Sequence, residues 1–128
     1  MPQGSTTLHE PEDRLSVATR DMHRALVSLM EELEAVDWYQ QRLEAADDGE
    51  LKEILRHNRD EEKEHAAMVL EWLRRHDPKL SEHLKTYLFT DAPITGIEKV
   101  VEQGGSDGGG GGEAPGSRPT VGSLKGRR

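Results

Sequence analysis

Residues 13–46 contain neither glycine nor proline, and a second stretch of the same kind, 50–77, follows after the break at Asp47-Asp48-Gly49. No other feature constrains the chain so tightly. Met22, Leu26, Leu29, Leu33, Val36 and Leu43 recur at four-three spacing, with Gln40 completing the register, as in a long helix with one apolar stripe. Asp47 and Glu50 have the spacing of a capping box, which opens a second helix running from about Asp48 to His76 and stopping before Pro78. A connection of two or three residues folds the two helices back on one another as an antiparallel hairpin.

Leu80 to Leu88 reads as a short third helix, and Ile94 with Ile97 can add one more turn after Pro93. Sustained alternation is missing, and valine, isoleucine and aromatic residues are sparse, so no strand is expected. Residues 104–128 hold 10 of the 13 glycines. Such a segment buries too little apolar surface to offset its ordering entropy. The expected organisation is a flexible N-terminus over 1–12, a helical hairpin domain over 13–98, a Gly-rich disordered linker over 99–118 and a distinct terminal segment over 119–128. The foldable part is about 95 residues, with 33% hydrophobic content and five aromatic side chains in the whole chain. That is a thin core for a monomer, and association is expected.

The chain has no cysteine, so disulfides and thiolate metal sites are excluded. A bound metal must rest on carboxylate and imidazole, a donor set suited to iron, manganese or zinc. The tail 104–128 nets +2, from Asp107 and Glu113 against Arg118, Lys125, Arg127 and Arg128; with −8 overall, residues 1–103 therefore carry −10. So acidic a body argues against nucleic acid and favours cations. No apolar run approaches a membrane span and Met1–Thr7 lacks a signal-like core, so a cytosolic location is expected.

The second helix places Leu51, Leu55, Asn58, Glu62, His65, Val69 and Trp72 on its seam. Glu62 and His65 thus occupy positions where a plain hairpin would carry leucine, and burying both is costly unless something pairs with them. Glu-x-x-His sets both side chains on one face, where a divalent cation is the natural partner. With the turn centred near residue 47.5, Glu32 stands level with that pair, on the flank shared with Ala25, Val36 and Tyr39. One hairpin then holds one Glu from one helix and one Glu-x-x-His from the other, which is half the ligand set of a di-iron carboxylate centre in a four-helix bundle. A two-fold dimer completes the set. The fold class is therefore all-α: a two-helix hairpin plus a short C-terminal helix, half of a ferritin-like bundle completed by dimerisation. Tyr39 is placed as a neighbour that can hydrogen-bond to the ligands or take part in redox chemistry.

On the outer face of the first helix, Glu31 and Glu34 flank Trp38, an arrangement suited to an interface or a cation-attracting entrance, and equally to a merely solubilised surface. His57, Glu61 and Glu64 lie beside the Glu62/His65 seam and can hold a weaker accessory metal, or only water. Residues alone leave open a non-enzymatic, metal-stapled interaction module.

The stretches Met30-Glu31-Glu32-Leu33-Glu34-Ala35-Val36-Asp37-Trp38-Tyr39 and His57-Asn58-Arg59-Asp60-Glu61-Glu62-Lys63-Glu64-His65-Ala66-Ala67-Met68 closely resemble the encapsulated ferritins. Glu71-Trp72-Leu73-Arg74-Arg75 and Tyr87-Leu88-Phe89-Thr90 extend the likeness over roughly residues 9–98. The resemblance implies a ferroxidase that oxidises Fe(II) with dioxygen at a di-iron site between two chains, in a ring of dimers. It implies Glu32, Glu62 and His65 as iron ligands, Tyr39 as their neighbour, Glu31 and Glu34 with Trp38 as a metal-attraction site, and His57, Glu61 and Glu64 as an outer accessory site for calcium or other divalent cations. Thr120-Val121-Gly122-Ser123-Leu124-Lys125-Gly126-Arg127 resembles the peptide by which cargo docks inside encapsulin shells, which implies an encapsulin partner through 120–127 and a location inside its nanocompartment. Val121 and Leu124 suit such docking, being two apolar contacts at the end of a glycine-rich tether. A related di-iron peroxidase remains an alternative.

Overall fold

A computed structural model describes residues 7–105, and among them the regular elements are helical, with no strand. The expected linker from 106 onward and the docking peptide lie outside the described residues, as do residues 1–6. The chain divides into two compact units between His76 and Asp77.

The first unit is the hairpin. Helix α1 runs Val17–Ala45 and helix α2 runs Gly49–His76. The first helix begins later than the absence of Gly and Pro suggests. The Ser16 side chain accepts from the Thr19 amide at 3.0 Å, satisfying a free amide of the first turn and fixing the start there. Glu12–Arg14 forms a separate single turn of 3-10 helix. The cap of α2 also differs from expectation: Asp48, not Asp47, accepts from the Leu51 amide at 2.8 Å. The chain leaves α1 in extended conformation at Ala46, so Asp48 is the residue that reaches the open turn.

Only four side chains in the hairpin are buried, Leu43, Leu55, Ala66 and Leu73, and of these only Leu73 is fully so. Leu26, Leu33, Leu51 and Trp72, all expected on the seam, are 36–54% exposed, and the His65 side chain is 45% exposed. The correction has a geometric cause. Two helices meet along one line, and on α2 that line passes through Leu55, Glu62, Ala66, Val69 and Leu73. A second stripe lies about 90° round the helix: Leu51, Ile54, Asn58, Glu61, His65, Met68 and Trp72, also at three-four spacing. Its apolar members stand exposed, Ile54 at 52% and Met68 at 63%.

Hydrogen bonds and stacking finish the hairpin. Arg59 donates through Nη1 to Gln40 Oε1 at 2.7 Å, joining α2 to α1. Near the end of α2, Glu71 receives Arg74 Nε and Nη2 at 2.7 and 2.8 Å and Arg75 Nε at 2.7 Å. Trp72 and His76 stack, with ring centroids 3.9 Å apart.

In the second unit, α3 spans Pro78–Tyr87 and α4 spans Ile94–Gly105. Pro78 opens α3 rather than preceding it, because Asp77 caps the Leu80 amide at 3.0 Å and proline suits a first-turn position. Helix α4 continues well past one turn, so residues 99–105 are helical where the linker was expected. Ile94, Ile97 and Val101 give that stretch an apolar stripe at helical spacing, which a count of glycines does not register. Phe89, just after α3, sits at φ 63°, a left-handed position that costs a non-glycine residue about 1 kcal/mol.

The cap assignment is directly measurable by urea unfolding of the metal-free protein. Asp48→Ala should lower stability by about 1 kcal/mol, and Asp47→Ala should leave it nearly unchanged. Leu73→Ala, at the best-buried position, should cost about 2–4 kcal/mol.

Candidate metal centre

Halfway along the hairpin, three side chains converge from the two helices. Glu32 lies within about 20° of the Leu43 direction on α1, so it faces α2 directly rather than from a flank. Glu62 holds the facing line of α2, and His65 lies on the open stripe beside it. One ligand atom from each of Glu32, Glu62 and His65 lies within 4.8 Å of the other two, and no other trio of His or acidic residues converges so among the described residues. His65 Nδ1 is 3.4 Å from Glu62 Oε1 and 3.7 Å from Glu32 Oε1. Both carboxylates are about one quarter exposed.

The electrostatics of the trio are unfavourable without a cation. The Glu32 carboxyl is held above the ordinary carboxylate range, chiefly by its hydrogen bond with Glu62, then by burial and by the Glu62 charge, while His65 pulls the other way. Two carboxylates held this close can share a metal. The distances allow it. Donors bonded to one divalent ion at about 2.1 Å stand about 3.0–3.4 Å apart along an edge of its coordination polyhedron. The separations of His65 Nδ1 from Glu62 and Glu32, 3.4 and 3.7 Å, need shifts of only a few tenths of an ångström. Two carboxylates and an imidazole form a hard-to-intermediate donor set that fits iron, manganese or zinc.

The remaining sequence candidates are placed less decisively. Tyr39 is half-buried, with the Arg42 guanidinium 5.5 Å from its ring centroid and 5.8 Å from that of Trp38. Glu31 is exposed, Glu34 half-buried and Trp38 44% exposed, and the three do not form a closed cluster within one chain. His57, Glu61 and Glu64 are all exposed and are not gathered into a second trio. Glu61 instead approaches the main cluster, its Oε1 standing 3.8 Å from His65 Nε2, on the side of the ring away from Glu32 and Glu62. Sequence reasoning overlooked Arg59 and Arg42. A charged residue at helical spacing looks like a solvated one until the structure shows where its long side chain ends.

The profile of the EncFtn-like family matches residues 7–91. The chain belongs to the EncFtn-like family. It is 57% identical to an encapsulated ferritin-like protein of Rhodospirillum rubrum, an alignment that covers 98% of this chain and 93% of that protein. It is 33% identical to an encapsulin nanocompartment cargo protein of Myxococcus xanthus, with 98% and 99% covered. Among solved structures, the crystal structure of a Nitrosomonas europaea protein superposes with a TM-score of 0.67 at 66% identity, covering 68% of this chain and 96% of that one.

The charge conflict at Glu32 sets a pH dependence. Its pKa is raised in the fold, so the stabilisation tied to its protonated form is complete below the unfolded value and is lost as pH rises through the folded one. Glu71 has the opposite sign: Arg74 and Arg75 hold it down to about 2, so its contribution is lost only as pH falls from the ordinary carboxylate range towards that value. In chelator-treated protein, Glu32→Gln should raise the melting temperature at pH 7, by the equivalent of a few tenths to about 1 kcal/mol. Thermal melts of variant and wild type should converge near about pH 4, where the native residue is itself protonated.

Proposed function

We propose that the chain is a ferroxidase: Fe(II) is its substrate, dioxygen its electron acceptor, and Glu32, Glu62 and His65 its metal ligands. The observation that carries this reading is the convergence of those three donors at metal-compatible distances, in a member of the EncFtn-like family. Anionic carboxylates stabilise ferric iron more than ferrous iron, so Glu32 and Glu62 favour loss of an electron from the bound ion. Neutral His65 completes the donor set without adding charge. A bound cation would also offset the like charges of Glu32 and Glu62, which the fold holds close together.

The half-set of ligands and the open stripe of α2 support completion by a second copy. The stripe Leu51, Ile54, Asn58, Glu61, His65, Met68, Trp72 alternates three- and four-residue steps, so its reversal matches it to within about one residue. An antiparallel two-fold pairing centred near Glu61 would set Leu51 opposite Trp72 and Ile54 opposite Met68 of a second copy, covering apolar surface that one chain leaves exposed. The same axis would bring two trios together as a di-iron centre. The family resemblance further suggests a ring of such dimers.

Shell association is part of the same proposal. Two relatives carry names that place them as encapsulated or encapsulin cargo proteins, and the residues 120–127 resemble a docking peptide. Location inside an encapsulin nanocompartment follows if that peptide acts here as it does in its counterparts. No described helix is long and apolar enough to cross a membrane. Tyr39 is proposed as a neighbour to the irons, Glu31 and Glu34 with Trp38 as a cation-attracting face, and His57, Glu61 and Glu64 as an accessory divalent-cation site.

Fe(II) oxidation in air, followed by ferric absorbance, tests the reading. Wild-type protein should oxidise iron well above the uncatalysed rate, and Glu32→Ala, Glu62→Ala and His65→Ala should each reduce the rate at least about ten-fold. Three unchanged variants would remove the site assignment. Metal-dependent association without oxidation would leave a structural metal staple, and dependence on hydrogen peroxide would indicate a peroxidase.

A further inference from the structure

We propose that Arg59 is a positioning residue for the metal centre: its hydrogen bond to Gln40 fixes the register of α2 against α1 and so holds Glu32 level with Glu62 and His65. This inference rests on the reading of the trio as a metal site.

The donors of the trio come from different helices, so their spacing is set by how α1 and α2 are aligned along their axes. An axial slip of one residue moves a ligand by about 1.5 Å, a large fraction of a metal–oxygen bond of about 2.1 Å. Three features leave that alignment weakly specified by packing. The hairpin buries only four side chains, all leucine or alanine, and such a strip tolerates sliding better than one with interlocking aromatic groups. Glu32 and Glu62, on facing helices, carry like charge and so give the register no attraction of their own. The connection of Ala46–Asp48 lies far from the trio, about 15 residues along each helix.

The Arg59–Gln40 contact supplies what packing lacks. Arg59 precedes Glu62 by one helical turn, and Gln40 follows Glu32 by about two. Although charged, the Arg59 side chain is only 18% exposed. Its Nη1 donates to Gln40 Oε1 at 2.7 Å, a short and directional bond between the helices. Both ends are themselves held. Arg59 Nε and Nη2 each lie 2.9 Å from Asp60 Oδ1, and Gln40 Nε2 donates to Glu44 Oε2 at 3.2 Å. The Asp60–Arg59–Gln40–Glu44 chain therefore spans the hairpin between the trio and the turn.

The test uses Co²⁺ as a probe, because its affinity and its ligand-field absorption both report coordination, which a merely stabilising contact would not alter in folded protein. Full-length wild type, Arg59→Met, Gln40→Leu, the double variant and Arg59→Lys are titrated, with far-UV circular dichroism showing that each is folded at the assay temperature. Each single truncation should weaken Co²⁺ binding about ten-fold and change the ligand-field spectrum. The double variant should be no weaker than the worse single one, since both remove the same bond. Arg59→Lys, which keeps one donor, should recover part of the affinity. Unchanged affinity and spectrum in folded Arg59→Met and Gln40→Leu would overturn the inference, as would fully additive losses. Glu62→Ala separates the two readings: if it binds Co²⁺ like wild type, the metal site itself is wrongly assigned and the inference falls with it. If only the Arg59 and Gln40 variants bind normally, the metal site stands and the positioning role is overturned.

Discussion

Two carboxylates facing each other across a helical hairpin are the constraint around which this structure is organised. Glu32 and Glu62 occupy the line where α1 meets α2, a place that hydrophobic packing would assign to leucine. Their proximity holds the Glu32 carboxyl above its usual range, so the folded chain carries a standing electrostatic cost at neutral pH. A hairpin with four buried side chains has little surplus stability to absorb it. In the proposed metal site a cation would remove the repulsion, with His65 as the third donor.

The second consequence concerns surface. Each helix carries more apolar residues than one partner helix can cover, and on α2 the excess forms a separate stripe with His65 at its centre. The proposed second copy would cover the exposed Leu51, Ile54, Met68 and Trp72 and complete the proposed ligand set together. Acidic character over the body of the chain suits the same chemistry, drawing cations towards a site that needs them.

The hairpin, its turn and the levelling of Glu32 with Glu62 and His65 were legible in the sequence, because each follows from helical periodicity and a short connection. The division of the apolar residues between two contact lines was not. Four-three spacing identifies an apolar face but does not say how much of it one neighbour can cover, so Leu33, Trp72 and His65 were assigned to an interior they do not reach. The cap shifted from Asp47 to Asp48 because adjacent aspartates offer the same chemistry, and only the path of the chain at Ala46 selects between them. Arg59 was invisible for a different reason: its position on the helix reads as surface, whereas its guanidinium reaches Gln40 across the hairpin. Helix α4 was underestimated because glycines at 104 and 105 drew the boundary forward over Val100 and Val101.

The central claim is that each chain contributes half of a dinuclear site. Electron paramagnetic resonance of Mn²⁺-loaded full-length protein tests it most directly, since Mn²⁺ suits the same donors and its spectrum distinguishes paired from isolated ions. An exchange-coupled pair is expected for every two chains, with a metal–metal spacing of about 3.5–4 Å, abolished by Glu62→Ala. An isolated six-line signal at one ion per chain, with no coupling at saturation, would contradict it.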